Sequence, residues 1–313
     1  RRMVAHFGLD VVQAYMSHVQ DNAEESVRRV LDVLEDGSFV YPMDDGSQIC
    51  VAIKVDHDNR RATIDFTGTD DQMKGFKNSS IANSYSAVYT ALASFLSPDL
   101  PGNEGTFRPV EIVLPEGSLV NPRPPAPMTM NTIIVATEII HSVWQALGQF
   151  DPLRSCAGWG KNSVPTMSGR DDNDMPFVMY HWAGASGGGA VDGRDGFPQQ
   201  GGLNSLCGLI VPNVETFEQL FPVDVIRHEI RCDSGGAGEF RGGPGVHYEV
   251  DLQTPVQMAF RGEGSSKFPA YGASGGEPGG VGEMTVRSED GETFTPPAYG
   301  IRHIGPSRFE MAS

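Results

Sequence analysis

The stretch Pro222–Val250 reads PVDVIRHEIRCDSGGAGEFRGGPGVHYEV, and Phe268–Gly280 follows with FPAYGASGGEPGG. Two β-type segments, Asp224–Cys232 and Val246–Leu252, flank a loop running from Ser234 to Gly245 in which half the positions are glycine. Short polar and β-branched runs on either side of turn residues are the strand signal. Glycine costs conformational entropy, so its repeated use implies either backbone turns that other residues resist or main chain pressed against a neighbour or ligand. Several of Gly235, Gly236, Gly242 and Gly243 are therefore expected at positive φ, shaping two consecutive tight turns.

Working outward, the N-terminal half has a different texture. From Asp10 to Leu34 the apolar residues Val12, Tyr15, Val19, Ala23, Val27, Val30 and Leu34 recur every three or four positions, which predicts a long helix with one buried face. ICVAIKV and RATIDFTGT form a strand pair around the turn Asp56–Arg60. Asn78 or Ser79 is placed to cap a helix reaching Leu96, closed by Pro98 and Pro101. A strand over Arg108–Leu114 leads into a proline-rich connector, and TIIVATEIIHSVWQAL predicts a further helix that starts at Asn131 or Thr132. Beyond Gly148 helical periodicity fades, apart from a short helix expected at Val214–Leu220. The fold class is α+β, with helices in the first half and a β-rich, glycine-rich second half. We divide the chain into 1–150 and 151–313, packed as one continuous unit, and expect it to be a piece of a longer polypeptide.

The chain has 313 residues and a formal net charge of −17. That balance argues against nucleic-acid partners, which require clustered Lys and Arg to displace counterions from phosphate. Cys50, Cys156, Cys207 and Cys232 are widely spaced, with no C-x-x-C, and are expected to be reduced thiols in a cytoplasmic protein. No apolar run is long enough for a membrane span, so no membrane association is expected.

None of the eight histidines forms H-x-H or H-E-x-x-H, which weighs against a complete metal site within this chain. His141, inside an apolar helix, is expected to be a packing or surface residue. His181 is the better functional candidate because it ends a strand before the glycine-rich run Gly184–Gly202, where Gly187, Gly188 and Gly189 would let a substrate approach the main chain. That run lacks the phosphate-loop pattern. Glu239 and Arg241 read as a solvated turn, and with no G-x-S-x-G elbow there is no sign of a nucleophile triad.

Four motifs in order carry a resemblance. Asp65–Thr69 (DFTGT), Asn103–Pro109 (NEGTFRP), Pro115–Pro122 (PEGSLVNP) and the glycine-rich block from Asp233 to Gly280 resemble the hydantoinase B/oxoprolinase family over nearly the whole chain. The resemblance implies the B-type component of an ATP-dependent cyclic-amide hydrolase. ATP and Mg would be used by an A-type partner subunit or domain, and a divalent metal would belong to the N-terminal half of the same polypeptide. The resemblance adds Asn204 to His181 and Gly187–Gly189 as a substrate-binding residue for a small-molecule substrate, and it makes Lys161 and Asn162 in GWGKNS weaker candidates. Relatives carry a histidine-containing run where this chain has Gln199–Gly202, a departure that implies altered chemistry or a different substrate. Two other readings are a subunit of an ATP-dependent ketone carboxylase of the acetone or acetophenone type, and an interface module that contributes no catalytic side chain.

Overall fold

The computed structural model describes residues 1–96, 102–161, 163–199, 203, 208 and 210–313. Among them the order is α1 (Arg2–Phe7), α2 (Leu9–Leu31), β1 (Gly37–Pro42), β2 (Gln48–Asp56), β3 (Arg61–Asp65), α3 (Ile81–Ala93), β4 (Val110–Val113), α4 (Ala136–Gly148), β5 (Thr166–Arg170), β6 (Pro176–Tyr180), α5 (Val214–Leu220), β7 (Val223–Ile230), β8 (Val246–Leu252), β9 (Val256–Arg261), β10 (Glu283–Ser288), β11 (Thr293–Phe294), β12 (Tyr299–Ile304) and β13 (Ser307–Ala312). The α+β class holds, with four of the five α-helices before residue 150 and nine of the thirteen strands after it.

In the first half β1, β2 and β3 form an antiparallel meander, and β4 adds parallel to β3 after the α3 crossover. Ile49, Val51 and Ile53 of β2 alternate inward onto a core shared with Val88 of α3 and Ile139, Val143 and Leu147 of α4. Helix α4 is buried on nearly every side, and a π-helical turn, Asn131–Val135, leads into it. Such turns recur at functional sites. Ser80, rather than Asn78 or Ser79, caps α3 by accepting the Asn83 amide at 3.3 Å. The reason is that Asn78 is already engaged, holding the Met73, Gly75 and Pro127 backbones in place. Pro98 and Pro101 lie outside the described residues.

The expectation for α2 holds only for its C-terminal part. Ala23, Val27 and Leu31 are buried, whereas Val11, Tyr15, Met16 and Val19 are exposed. The helix runs past the edge of the body it packs on, and periodicity alone cannot show where a buried face loses its partner.

The motifs of the first half are backbone turns. The Asp65 carboxylate accepts both the amide and the hydroxyl of Thr67. Asn103 and Thr106 form a capping box on a 3-10 turn. Gly105 in that turn is pressed against the Gln20 carbonyl of α2, where a Cβ has no room.

In the second half β11-β10-β13-β8-β7 form one antiparallel sheet and β12-β9-β5-β6 another. They share a core of Met167, Met179, Met258 and Phe260 from the smaller sheet and Tyr248, Val250, Phe309 and Met311 from the larger. Strand β8 alternates buried and half-buried residues along its whole length, the pattern of a strand with one face on a core.

Candidate functional site

The two halves meet through buried charge. Lys77, from the segment before α3, places Nζ 2.7 Å from Glu263 Oε2 and 3.2 Å from Asp45 Oδ1. Glu263, just after β9, also accepts the Tyr299 hydroxyl at 2.9 Å and the Asp44 amide at 2.5 Å. The Lys77 and Glu263 side chains are 1% and 0% exposed, so neither ion is solvated by bulk water. Asp44, in the β1–β2 turn, accepts four consecutive backbone amides, Ser265 and Ser266 on Oδ2 and Lys267 and Phe268 on Oδ1. One carboxylate thus fixes the whole turn after Glu263 to the first half.

A second pair lies alongside. Glu138 and His141 face the same side of α4 at i and i+3 spacing, and Glu138 Oε2 is 3.5 Å from Lys161 Nζ and 3.7 Å from His141 Nδ1. His141 Nε2 accepts the Trp159 amide at 3.2 Å, which leaves Nδ1 as the donor nitrogen, 3.2 Å from the Tyr41 hydroxyl. The Lys161 ammonium also lies 4.7 Å from the centre of the Tyr41 ring. Glu138 Oε2 has no hydrogen-bond partner among the described residues.

Burial and charge act against each other here. Burial pushes the Glu138 carboxyl up, but Lys161, His141 and Tyr41 together outweigh it and hold the group below the usual carboxylate range. At Glu263 burial wins over Lys77, and the nearby Glu138 charge adds to it, so that carboxyl is raised. Burial raises the hydroxyls of Tyr41, Tyr271 and Tyr299 well above the ordinary tyrosine value, which keeps them as hydrogen-bond donors. Two carboxyls driven in opposite directions within one buried array are a mark of acid–base sites. Buried ion pairs add little net stability compared with apolar packing, which makes a purely structural use of so many of them costly.

Lys161 and Glu263 also belong to the wall of a cavity of about 300 Å³. The remaining wall is mostly backbone from the glycine-rich loops, with the carboxylates Asp192, Glu239 and Glu277 at its exposed outer part. Gly235, Gly236, Gly242 and Gly243 all line it, yet none has a positive φ, which overturns the expected pair of tight turns. Their function is close approach. A Cβ on Gly235 would strike the Gly242 carbonyl, one on Gly236 the Glu277 carbonyl, and one on Gly243 the Phe197 carbonyl. The left-handed positions fall instead at Asp233 (φ 58°), Gly264 (φ 72°), Ser274 (φ 50°) and Gly275 (φ 87°).

The residues singled out from sequence are dispersed. Gly187 and Gly188 line the cavity, while Gly189 is pressed against the Ala157 carbonyl. His181 lies in the second core, fully buried, with Nδ1 3.2 Å from the Tyr248 hydroxyl and its ring against Phe309. Burial pushes its pKa down to about 3, so the imidazole is neutral near pH 7. Asn204 and Asn162 lie outside the described residues. His141 is packed as expected, but inside a polar array. Lys77, Glu138, Glu263 and Asp44 escaped sequence reading. The available signals were two titratable residues one turn apart in an apolar helix and a lone glutamate between Gly262 and Gly264.

Residues 1–306 match the profile of the hydantoinase B/oxoprolinase family. The chain is 32% identical over 308 residues to caprolactamase subunit beta of Pseudomonas jessenii, covering 93% of this chain and 52% of that protein. It is 32% identical over 290 residues to a 5-oxoprolinase of Pestalotiopsis fici, covering 90% of this chain and 22% of the relative. The crystal structure of the ATP-dependent caprolactamase from Pseudomonas jessenii superposes with a TM-score of 0.83 at 26% identity, over 99% of this chain and 56% of that one. The chain therefore spans about half the length of the caprolactamase subunit and a smaller share of the oxoprolinase. No described helix is long and apolar enough to cross a membrane.

Proposed function

The chain belongs to the hydantoinase B/oxoprolinase family, and from that membership we propose that it serves in the B-type component of an ATP-dependent hydrolase of cyclic amides, working with an A-type partner that uses the nucleotide. The carrying observation is the match to the caprolactamase subunit over almost the entire chain in both sequence and structure. ATP supplies the activation that a cyclic amide needs, because phosphorylating its carbonyl oxygen makes the poorly electrophilic carbonyl carbon open to water; the ring C–N bond then breaks, and hydrolysis of the acyl phosphate releases inorganic phosphate. The cavity does not fit the nucleotide itself. The exposed residues Asp192, Glu239 and Glu277 line it, and among the described residues no exposed Lys or Arg does, a balance that repels a triphosphate.

What this chain contributes is a pre-organised wall. A cavity of about 300 Å³ suits a small ring. Gly187 and Gly188 present bare main chain to it, and the Lys161 and Glu263 side chains, 2% and 0% exposed, are held behind the wall by their ion pairs. Holding a reactant in an attack-ready geometry removes several kcal/mol of barrier without any covalent step.

The test is an assay of phosphate release and ring opening with hydantoin, 5-oxoproline and caprolactam, comparing this component alone, the A-type partner alone, and both together. Turnover is expected only from the combination. Robust ring opening by this component alone, or turnover by the pair only with acetophenone and bicarbonate, contradicts the proposal.

A further inference from the structure

We infer that the cavity selects cyclic amides by charge, admitting rings without an anionic substituent and turning away rings that bear a carboxylate, with Asp192, Glu239 and Glu277 as the specificity-determining residues. The site is the cavity itself, and the three carboxylates act on what enters it. This deepens the reading of the cavity given above and rests on it.

Three observations carry it. First, the charge that the wall exposes is of one sign. Asp192, Glu239 and Glu277 are exposed and line the cavity, and among the described residues no exposed Lys or Arg does. No ion pair engages any of the three carboxylates among the described residues. The cations close by in sequence are turned to other uses. Arg194, two positions from Asp192, has its guanidinium carbon 5.0 Å from the centre of the Phe197 ring. Arg241, flanked by the lining residues Phe240 and Gly242, does not itself line the cavity.

Second, the charges behind the wall are already matched. Glu263 is held against Lys77 and Glu138 against Lys161, all four side chains being at most 2% exposed, so the buried array offers no free cation to an incoming anion. The outer negative charge is therefore uncompensated, and a cleft lined by one sign of charge concentrates its field on whatever enters. Third, much of the remaining wall is apolar or bare main chain. Leu153, Val191, Phe240 and Tyr271 line it together with the glycine-rich loops. Such a surface complements the methylene edge of a lactam, and it presents no guanidinium or exposed ammonium, the groups that fix a carboxylate. A carboxylated ring entering here sheds hydration and meets like charge with nothing to offset either, whereas a neutral ring meets neither penalty.

The test uses ligands that share one ring: 2-pyrrolidinone, 5-oxoprolinamide and 5-oxoproline, the last two differing by little more than one negative charge. Isothermal titration of the assembled complex without nucleotide reads binding apart from turnover. At low salt both neutral rings are expected to bind about tenfold tighter than 5-oxoproline, the effect of several like charges acting through a largely aqueous medium. The preference shrinks as salt is raised, because the screening length falls from about 30 Å at 0.01 M to about 3 Å at 1 M. It also shrinks, to about twofold or less, in Asp192→Asn/Glu239→Gln/Glu277→Gln, whose three sites are exposed. A control that removes the same total charge at exposed positions off the cavity wall, Asp58→Asn/Asp172→Asn/Glu289→Gln, keeps the wild-type preference. The proposal is overturned if 5-oxoproline binds as tightly as the neutral rings, if the cavity variant keeps the same preference as the control, or if none of the three compounds binds. Ring opening is measured separately. ATP-dependent turnover of these rings without any charge preference removes the filter and leaves the proposed function standing, and a charge preference in binding without turnover does the reverse.

Discussion

Replacing Lys77 by Met is expected to lower stability by about 3–5 kcal/mol, the usual consequence of stranding one member of a buried ion pair. Lys77 is fully enclosed and its ammonium faces both Glu263 and Asp45. The methionine fills a similar volume, so the loss measures charge and not a cavity. Much of it should return in Lys77→Met/Glu263→Gln, where the buried carboxylate has gone as well. Chemical denaturation of the four proteins in this cycle gives the coupling directly. Additive losses, with no recovery in the double variant, would show that the residues act independently.

Asp44→Ala is expected to cost about 3 kcal/mol or more, since bonds from backbone amides to a charged acceptor are worth roughly 1.5–3 kcal/mol each and are not additive. Four amides, from Ser265 to Phe268, converge on this carboxylate. Asp44→Asn should fall between, because the amide keeps one acceptor oxygen and turns a donor group toward the other two N–H groups. The cavity should suffer along with the fold, since this turn follows directly on Glu263 and Gly264. Hydrogen exchange across residues 263–268 reads the effect locally: protection is expected to drop there in Asp44→Ala, and unchanged protection would mean that the turn holds without its anchor.

The pH dependence of Glu138 follows from the direction of its shift. Its folded pKa lies below the unfolded value, so its contribution is present above the unfolded carboxylate range and is lost as pH falls through the lowered folded value. Glu263 is shifted the other way, and its ionisation opposes folding as pH rises through its raised folded value. The two contributions therefore oppose one another.

Local features were legible in the sequence and distant pairings were not. Strand β8 follows from strict alternation in HYEVDL, and α5 from a short apolar period behind Asn213, which caps it. The glycine-rich loops announced a special backbone, but the signal for positive φ and the signal for backbone-on-backbone contact are the same residue. Only coordinates separate Gly264 from Gly243. His181 stood out because it precedes a glycine run, yet it faces Tyr248 across the second core, a contact set by sheet packing. The ionic array was hidden for the same reason. Lys77 and Glu263 are 186 positions apart, and nothing near either residue names the other. His141 read as a packing or surface residue on an apolar helix, and only the fold shows Glu138, Lys161 and Tyr41 closing around it.

The most direct measurement is a structure of the complete complex with nucleotide on the A-type partner and a non-hydrolysable cyclic amide bound. The account places the ring in the cavity against the Gly187–Gly188 main chain, with the nucleotide outside this chain. A ring bound elsewhere in the complex, with this cavity closed or filled by solvent alone, would contradict it.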